Sequence, residues 1–358
     1  MRYVSFPRLR EGMVLGSNIY GDKLEVIMGQ RLILSDAHIR RLNELGYPGV
    51  YIMDNLSQDV VVQDIIPSEL RLAAIKAARD LRRQAERMDP KNPRKTSVAP
   101  QQKIVLPIIE ALIDNKRRVV DLIDLKPFEN YDFYHAANVV VLSLLLGVEM
   151  GISGTQLYEL GMASLLYDLG NIFLPKGILQ QPGKLSPAEY ETVKKHTEIG
   201  FEFLRDNFDI SIDACVGALH HHEHYDGSGY PYGLKKNKIS IYGRIIALTD
   251  VFDALVSRRP FREPLLPPEA MELIQSQSGT KFDPEIVRVL GRVVSLFPAG
   301  TCVQLSSGVR CMVVQNYVAD PEHPRLRLLG NMSATPLYID LQNDPAFAHL
   351  KVSHILEV

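Results

Sequence analysis

The chain has 358 residues, 46% of them hydrophobic, with 40 basic against 42 acidic side chains and a formal net charge of −2 at pH 7. That length supports two or three domains and a sizeable core. A charge this close to zero argues against a global basic field for a nucleic acid polymer and leaves a small charged ligand open. Cys215, Cys302 and Cys311 are odd in number and lack metal-site spacing, which suits reduced, buried thiols in a reducing compartment.

In chain order, the opening "MRYVSFPRLREGM" has no apolar signal core after its first Arg, so a cleaved leader is not expected. The following "GMVLGSNIYGDKLEVIMGQRLIL" alternates short apolar segments with turns, as strands do, and predicts a small α+β module ending near Asp54. "SELRLAAIKAARDLRRQAERM", Ser68 to Met88, reads as a basic amphipathic helix and a candidate dimerisation element, followed by the polar, Pro-rich "DPKNPRKTSVAPQQ". From Lys103 to Phe297 apolar residues recur at three and four spacing, which predicts helices. The longest apolar run, Val139 to Val148, is about half of the roughly 20 residues that cross a bilayer; no membrane span and a cytoplasmic location are expected. In "SPAEYETVKKH", Ser186 can cap a helix, Pro187 fits its first position and Glu189 completes a capping box. After Gly300 the text alternates again and predicts a β module. The expected division is an accessory module over 1–66, a helix and linker over 67–102, a helical domain over 103–297 and a C-terminal β module over 298–358, mainly α in class.

Six of the ten histidines, at 135, 196, 220, 221, 222 and 224, fall in the helical segment. Asp168 in "SLLYDLGN" and Asp250 in "IIALTDVFDALV" stand in apolar helical text without a basic neighbour at helical spacing. A buried carboxylate needs a counter-charge, a hydrogen bond or a metal, and two such acids beside clustered histidines suggest a cation. His221 and His222, adjacent and so about 100° apart on a regular helix, can converge on one centre only near a helix end. "YDGSGYP" supplies one, with its Asp-Gly turn signal and Pro. Mixed imidazole and carboxylate ligands suit Fe, Mn or Zn, and six candidates suggest a pair of metals sharing a carboxylate, the arrangement for an in-line phosphoryl displacement.

At this point the residues resemble the HD-GYP family of cyclic di-GMP phosphodiesterases. The resemblance rests on "YDFYHAANV", "LLYDLGNIFLPKGIL", "QPGKLSPAEYETVKKH", "HHEHYDGSGYPYGL", "GRIIALTDVFDALVSRRPFR" and "GTKFDPEIV", between about Phe128 and Arg292. It implies a helical HD-GYP bundle with two transition metals, iron before manganese, divalent or mixed-valence. The implied ligands are His135, Asp168, His196, His221, His222 and Asp250, with Asp168 bridging. Tyr131 stands where some members carry a Glu for a third metal, so two are expected. The resemblance further implies that a metal-bound hydroxide attacks the phosphodiester of cyclic di-GMP to give pGpG or GMP. Gly229, Tyr230 and Pro231, after Gly227, match the loop associated with substrate contact and with docking of cyclic di-GMP synthase (GGDEF) domains; the plainer reading is a rigid wall of the cleft. Arg259 and Arg262 match positions that face substrate phosphates, a role that suits a planar guanidinium, though a solvated surface role remains open.

Two residues depart from the family's His-Asp-x-Gly-Lys. Tyr167 stands for the His, either as a tyrosinate ligand or as a packed phenol. Asn171 stands for the Lys, and loss of such a cation can cost on the order of a hundredfold to a thousandfold in rate. The alternative to a working, slower phosphodiesterase is therefore a catalytically degenerate domain that serves as a cyclic di-GMP receptor or docks a synthase.

Overall fold

The computed structural model describes all residues except 22, 63, 90–92, 116–118, 121–130, 181–182, 259–262, 319, 331–335 and 357–358, and at 179–180 the backbone only. At the N-terminal end, β1 (Arg2–Ser5), β2 (Val14–Leu15), β3 (Ile19–Tyr20), β4 (Val26–Met28), α1 (Asp36–Glu44) and β5 (Gly49–Met53) form the expected α+β module. Its sheet runs β1-β5-β2, all antiparallel, beside a β3–β4 pair. Val4, Leu15, Leu42, Val50 and Ile52 fill its core, as alternation on a half-buried sheet requires.

The central text is helical as its periodicity predicts. It comprises α2 (Ser68–Ala85), α3 (Ala99–Asp114), α4 (Tyr131–Glu149), α5 (Gly154–Leu166), α6 (Lys176–Gln180), α7 (Pro187–Lys194), α8 (His196–Asn207), α9 (Ile212–His220), α10 (Ile241–Val256), α11 (Pro267–Ser276) and α12 (Pro284–Val293). At α7 the capping box forms as written: Ser186 Oγ accepts from Glu189 N at 3.3 Å and Glu189 returns a carboxylate to Ser186 N at 2.7 Å. The helix α2 was expected in a connecting segment. Its apolar face, with Ala74, Ile75, Ala78 and Leu81, instead shares one core with α3, α4, α5 and α8 to α12 and packs on α4. Among the described residues α4 alone is long and apolar enough to cross a bilayer, but 72% of its most apolar window is buried in the bundle. That apolarity on every side is what a core helix needs.

The C-terminal β module comprises β6 (Cys302–Leu305), β7 (Arg310–Tyr317), β8 (Asp320–Leu328), β9 (Tyr338–Asp340) and β10 (Val352–Leu356), ordered β10-β6-β7-β8-β9. It meets the N-terminal module through Val60 against Cys302 and Met312 and through Asp59, which Arg327 and Tyr338 both hold. All three cysteines are free and buried.

One glycine fixes how closely the site's helices approach. After α5, a 3-10 turn over Leu169–Phe173 lies against the start of α8, and a Cβ on Gly170 would stand 2.0 Å from His196 O and 2.9 Å from Gly200 Cα. We expect Gly170→Ala to push the turn off α8 and to cost about 1–3 kcal/mol, the range for overpacking, read as a lower urea midpoint.

Candidate metal centre

Two groups of side chains meet where α4, α8, α9 and α10 converge. The first is imidazole. The helix α7 ends at Lys194 and α8 starts at His196, while α9 ends at His220, so His196 and His221 both sit at helix ends. Each donates Nδ1–H to the backbone carbonyl three residues before it, His196 to Val193 O at 2.6 Å and His221 to Ala218 O at 2.5 Å. A carbonyl can only accept, so in its neutral form each ring carries its proton on Nδ1 and presents a bare lone pair on Nε2. Those Nε2 atoms face each other at 3.3 Å. Two lone pairs at that distance repel unless a cation stands beside both. His222 completes the group, and one ring nitrogen from each of the three lies within 4.8 Å of the others.

Electrostatics suit a cation here. Burial and the neighbouring imidazoles push the His221 pKa down to about 3 and that of His222 well below its usual range. The His221 and His222 rings therefore stay unprotonated at neutral pH. His222 is held by a ring instead of a carbonyl: Tyr230 stacks on it at 4.8 Å between centroids, and Tyr230 N donates to His222 O at 3.1 Å. Gly229 permits this approach, since a Cβ there would lie 2.2 Å from His224 N. Glu223, 2% exposed, accepts from Tyr232 N and Leu234 N and ties the loop beyond Pro231 to the end of α9. The Gly229, Tyr230, Pro231 loop thus packs on His222 through Tyr230. Arg259 and Arg262 lie outside the described residues.

The second group holds His135, Tyr167 and Asp250. His135 Nε2 lies 2.8 Å from Asp250 Oδ1, and its Nδ1 lies 2.7 Å from Asp253 Oδ2. Tyr167 is 3% exposed; its hydroxyl donates to Asp250 Oδ1 at 2.9 Å and lies 3.2 Å from His135 Nε2. Burial works against a charged His135, but Asp250 and Asp253 outweigh it and push its pKa up to about 9. Burial would likewise raise the Asp250 pKa, and the His135 hydrogen bond and charge overcome this and hold it below the carboxylate range. Burial with the charges of Asp250 and Asp168 drives the Tyr167 phenol well above 10. Tyr167 also sits edge-on to His221 at 4.9 Å, so the two groups adjoin.

Asp168 differs from its expected setting. Since α5 stops at Leu166, the chain turns out of the apolar face and leaves the Asp168 side chain 45% exposed. It lies 3.5 Å from His196 Nε2 and accepts from Asn171 Nδ2 at 2.6 Å. It lines a cleft of about 370 Å³ together with His135, Tyr167 and Asn171, and Arg82 and Lys176 also line it. The structure therefore brings His196, His221 and His222 together, sets His135 and Asp250 beside them, and leaves Asp168 at the rim. Asp253, three residues after Asp250 and so on the same face of α10, was missed, although that i,i+3 spacing carried the signal. Lys281, from the quoted "GTKFDPEIV", was also given no role; it is half-buried, and its charge bears on Asp250 and His222.

Residues 115–286 match the HD domain family. A cyclic di-GMP phosphodiesterase of Pseudomonas aeruginosa, PA4108, is 32% identical over 62% of this chain and 53% of its own length. A cyclic di-GMP phosphodiesterase of Thermotoga maritima is 46% identical over 43% of this chain and 42% of its own length. These matches support HD-GYP membership for the matched segment. A third relative, the 3′3′-cGAMP-specific phosphodiesterase 2 of Vibrio cholerae, is 36% identical over 44% of this chain and 30% of its own length. The chain thus spans about half or less of these relatives' lengths, and the HD-GYP match falls on the helices that carry both side-chain groups.

The raised His135 pKa sets a pH dependence for the metal-free protein. The folded value, about 9, lies above the ordinary 6.5, so the pairing stabilises fully below pH 6.5 and is lost as pH rises through 9. Denaturant midpoints of metal-free protein are expected to fall over that window and to stay flat in His135→Gln. Because metal ligation needs a neutral imidazole, loading at pH 7 should also release protons, read as acidification of a weakly buffered solution.

Proposed function

We propose that this HD-GYP chain is a metal-dependent phosphodiesterase that cleaves cyclic di-GMP to pGpG or GMP. The observation that carries the reading is the pair of Nε2 lone pairs, His196 and His221, facing each other at 3.3 Å with both tautomers set by backbone carbonyls. A site on which three imidazoles converge is of little use without a cation. His196, His221 and His222 with Asp168 would hold one metal. His135 and Asp250, with Asp168 as the bridge, would hold the second. Two transition metals, iron first and manganese next, would supply the Lewis acidity that activates water and neutralises charge on a scissile phosphate.

Tyr167 is a candidate third ligand at the second position. Its hydroxyl, His135 Nε2 and Asp250 Oδ1 lie 2.8, 2.9 and 3.2 Å from one another, the separation of atoms that share one metal at about 2.1 Å. Asn171 holds Asp168 by its amide but brings no charge. In this reading Lys281 provides the cation missing at 171, facing a substrate phosphate across Asp250. Tyr230 keeps the His222 ring in register, and the wall it forms, with Gly229 and Pro231, borders the substrate and is a candidate docking face for a GGDEF synthase. The division at 66, 102 and 297, a cytoplasmic location and a homodimer complete the proposal.

A second reading has an observation of its own. Tyr167 and Asn171 are both engaged in hydrogen bonds with the acids that would ligate metal, as expected of a centre that binds cyclic di-GMP without turning it over.

Iron- or manganese-loaded protein incubated with cyclic di-GMP, and separately with 3′3′-cGAMP, is expected to consume the former, followed by chromatography. Turnover only in a Tyr167→His, Asn171→Lys variant would favour the receptor, and neither binding nor cleavage with metals in place would sink the substrate assignment. Lys281→Met should lower turnover on the order of a hundredfold while leaving metal content unchanged. Tyrosinate ligation predicts a visible charge-transfer band in the ferric protein that disappears in Tyr167→Phe; no band in the native ferric protein would exclude it.

A further inference from the structure

The residue His135 is aimed by a chain of hydrogen bonds that begins outside the matched HD domain. On α2, Arg71 Nη1 donates to Asn138 Oδ1 at 2.7 Å. Asn138 Nδ2 donates to Asp253 Oδ1 at 2.7 Å, and the other Asp253 oxygen accepts from His135 Nδ1 at 2.7 Å. Arg71 is itself gripped by Asp64, which accepts from Nε and Nη2 at 2.5 Å each. Asn138 is 9% and Asp253 1% exposed.

The chemistry of the links allows one arrangement. A guanidinium only donates and a carboxylate only accepts, so Asn138 must turn its oxygen to Arg71 and its NH2 to Asp253. Asp253, so held, accepts the hydrogen bond of His135 Nδ1–H, which leaves Nε2 toward Asp250 and Tyr167. Without Arg71 the Asn138 amide can flip and set its oxygen against the Asp253 carboxylate, and the chain loses its direction.

We propose that Arg71 is a positioning residue for the HD-GYP centre: through Asn138 and Asp253 it sets the tautomer and ring plane of His135, and through Asp64 it ties that setting to the segment joining the N-terminal module to α2. The proposal rests on the two-metal reading for its consequence, since His135 would serve the second metal. Outer partners of ligating histidines typically carry 10- to 100-fold in metal affinity.

The test titrates metal-free protein with ferrous iron under anaerobic conditions and observes the ring Nδ1–H proton of His135 by NMR, assigned by its loss in His135→Gln. Arg71→Met is expected to weaken the second equivalent about tenfold or more, leave the first unchanged, and broaden the Nδ1–H signal by exchange. Arg71→Lys, which keeps one donor, should restore part of each. Leu81→Ala, which opens a cavity under α2, controls for loss of stability and should move neither. Native affinity for both equivalents with a native Nδ1–H signal in Arg71→Met would overturn the proposal, as would the same losses in Leu81→Ala. A native chain that takes one equivalent would sink the two-metal reading instead, and the Nδ1–H comparison would still decide for or against Arg71.

Discussion

The centre depends on two helix-terminal carbonyls. The last turn of a helix leaves carbonyls without an intrahelical donor, and here Val193 and Ala218 spend theirs on His196 and His221 Nδ1–H. The same three-residue offset serves both histidines. It gives each carbonyl a side-chain donor and, at once, turns two lone pairs onto one point. The helix ends are therefore part of the site: had α7 run on through His196, or α9 through His222, the rings would have pointed around the helix instead of converging.

The second group is built differently. His135 sits inside α4 and Asp250 inside α10, so no spare backbone carbonyl is at hand and side chains must orient side chains. Asp253 performs for His135 what Val193 performs for His196. A carboxylate also brings charge, which is why the His135 pKa rises to about 9 while that of His221 falls to about 3. His135 and His221 thus stand in opposite electrostatic states: at neutral pH the first carries an extra proton and the second does not. Tyr167 lies between them, its hydroxyl on Asp250 and its ring on the edge of His221.

Much of this was legible because it is local. The α7 cap, the helix end at His220, the core run in α4 and the β module after Gly300 follow from spacing and turn chemistry, and the HD-GYP resemblance rested on residues within single motifs. Asp168 was misjudged for a local reason too: apolar neighbours suggested burial, but α5 stops two residues earlier and the side chain turns to the cleft. The role of α2 was hidden. An amphipathic helix beside a polar linker reads as an outlying element, and nothing in its text names the partner of its apolar face.

The sequence by itself determined the helical class, the family, and which histidines and acids could bind metal, since these follow from residue identity and near-neighbour spacing. Tertiary structure alone decided which of those side chains meet, which nitrogen each imidazole presents, and that Arg71, 64 residues before His135, stands behind it. The physical reason is that a tautomer is set by the group across a hydrogen bond, and that group lies across a packed helix interface that no sequence interval specifies.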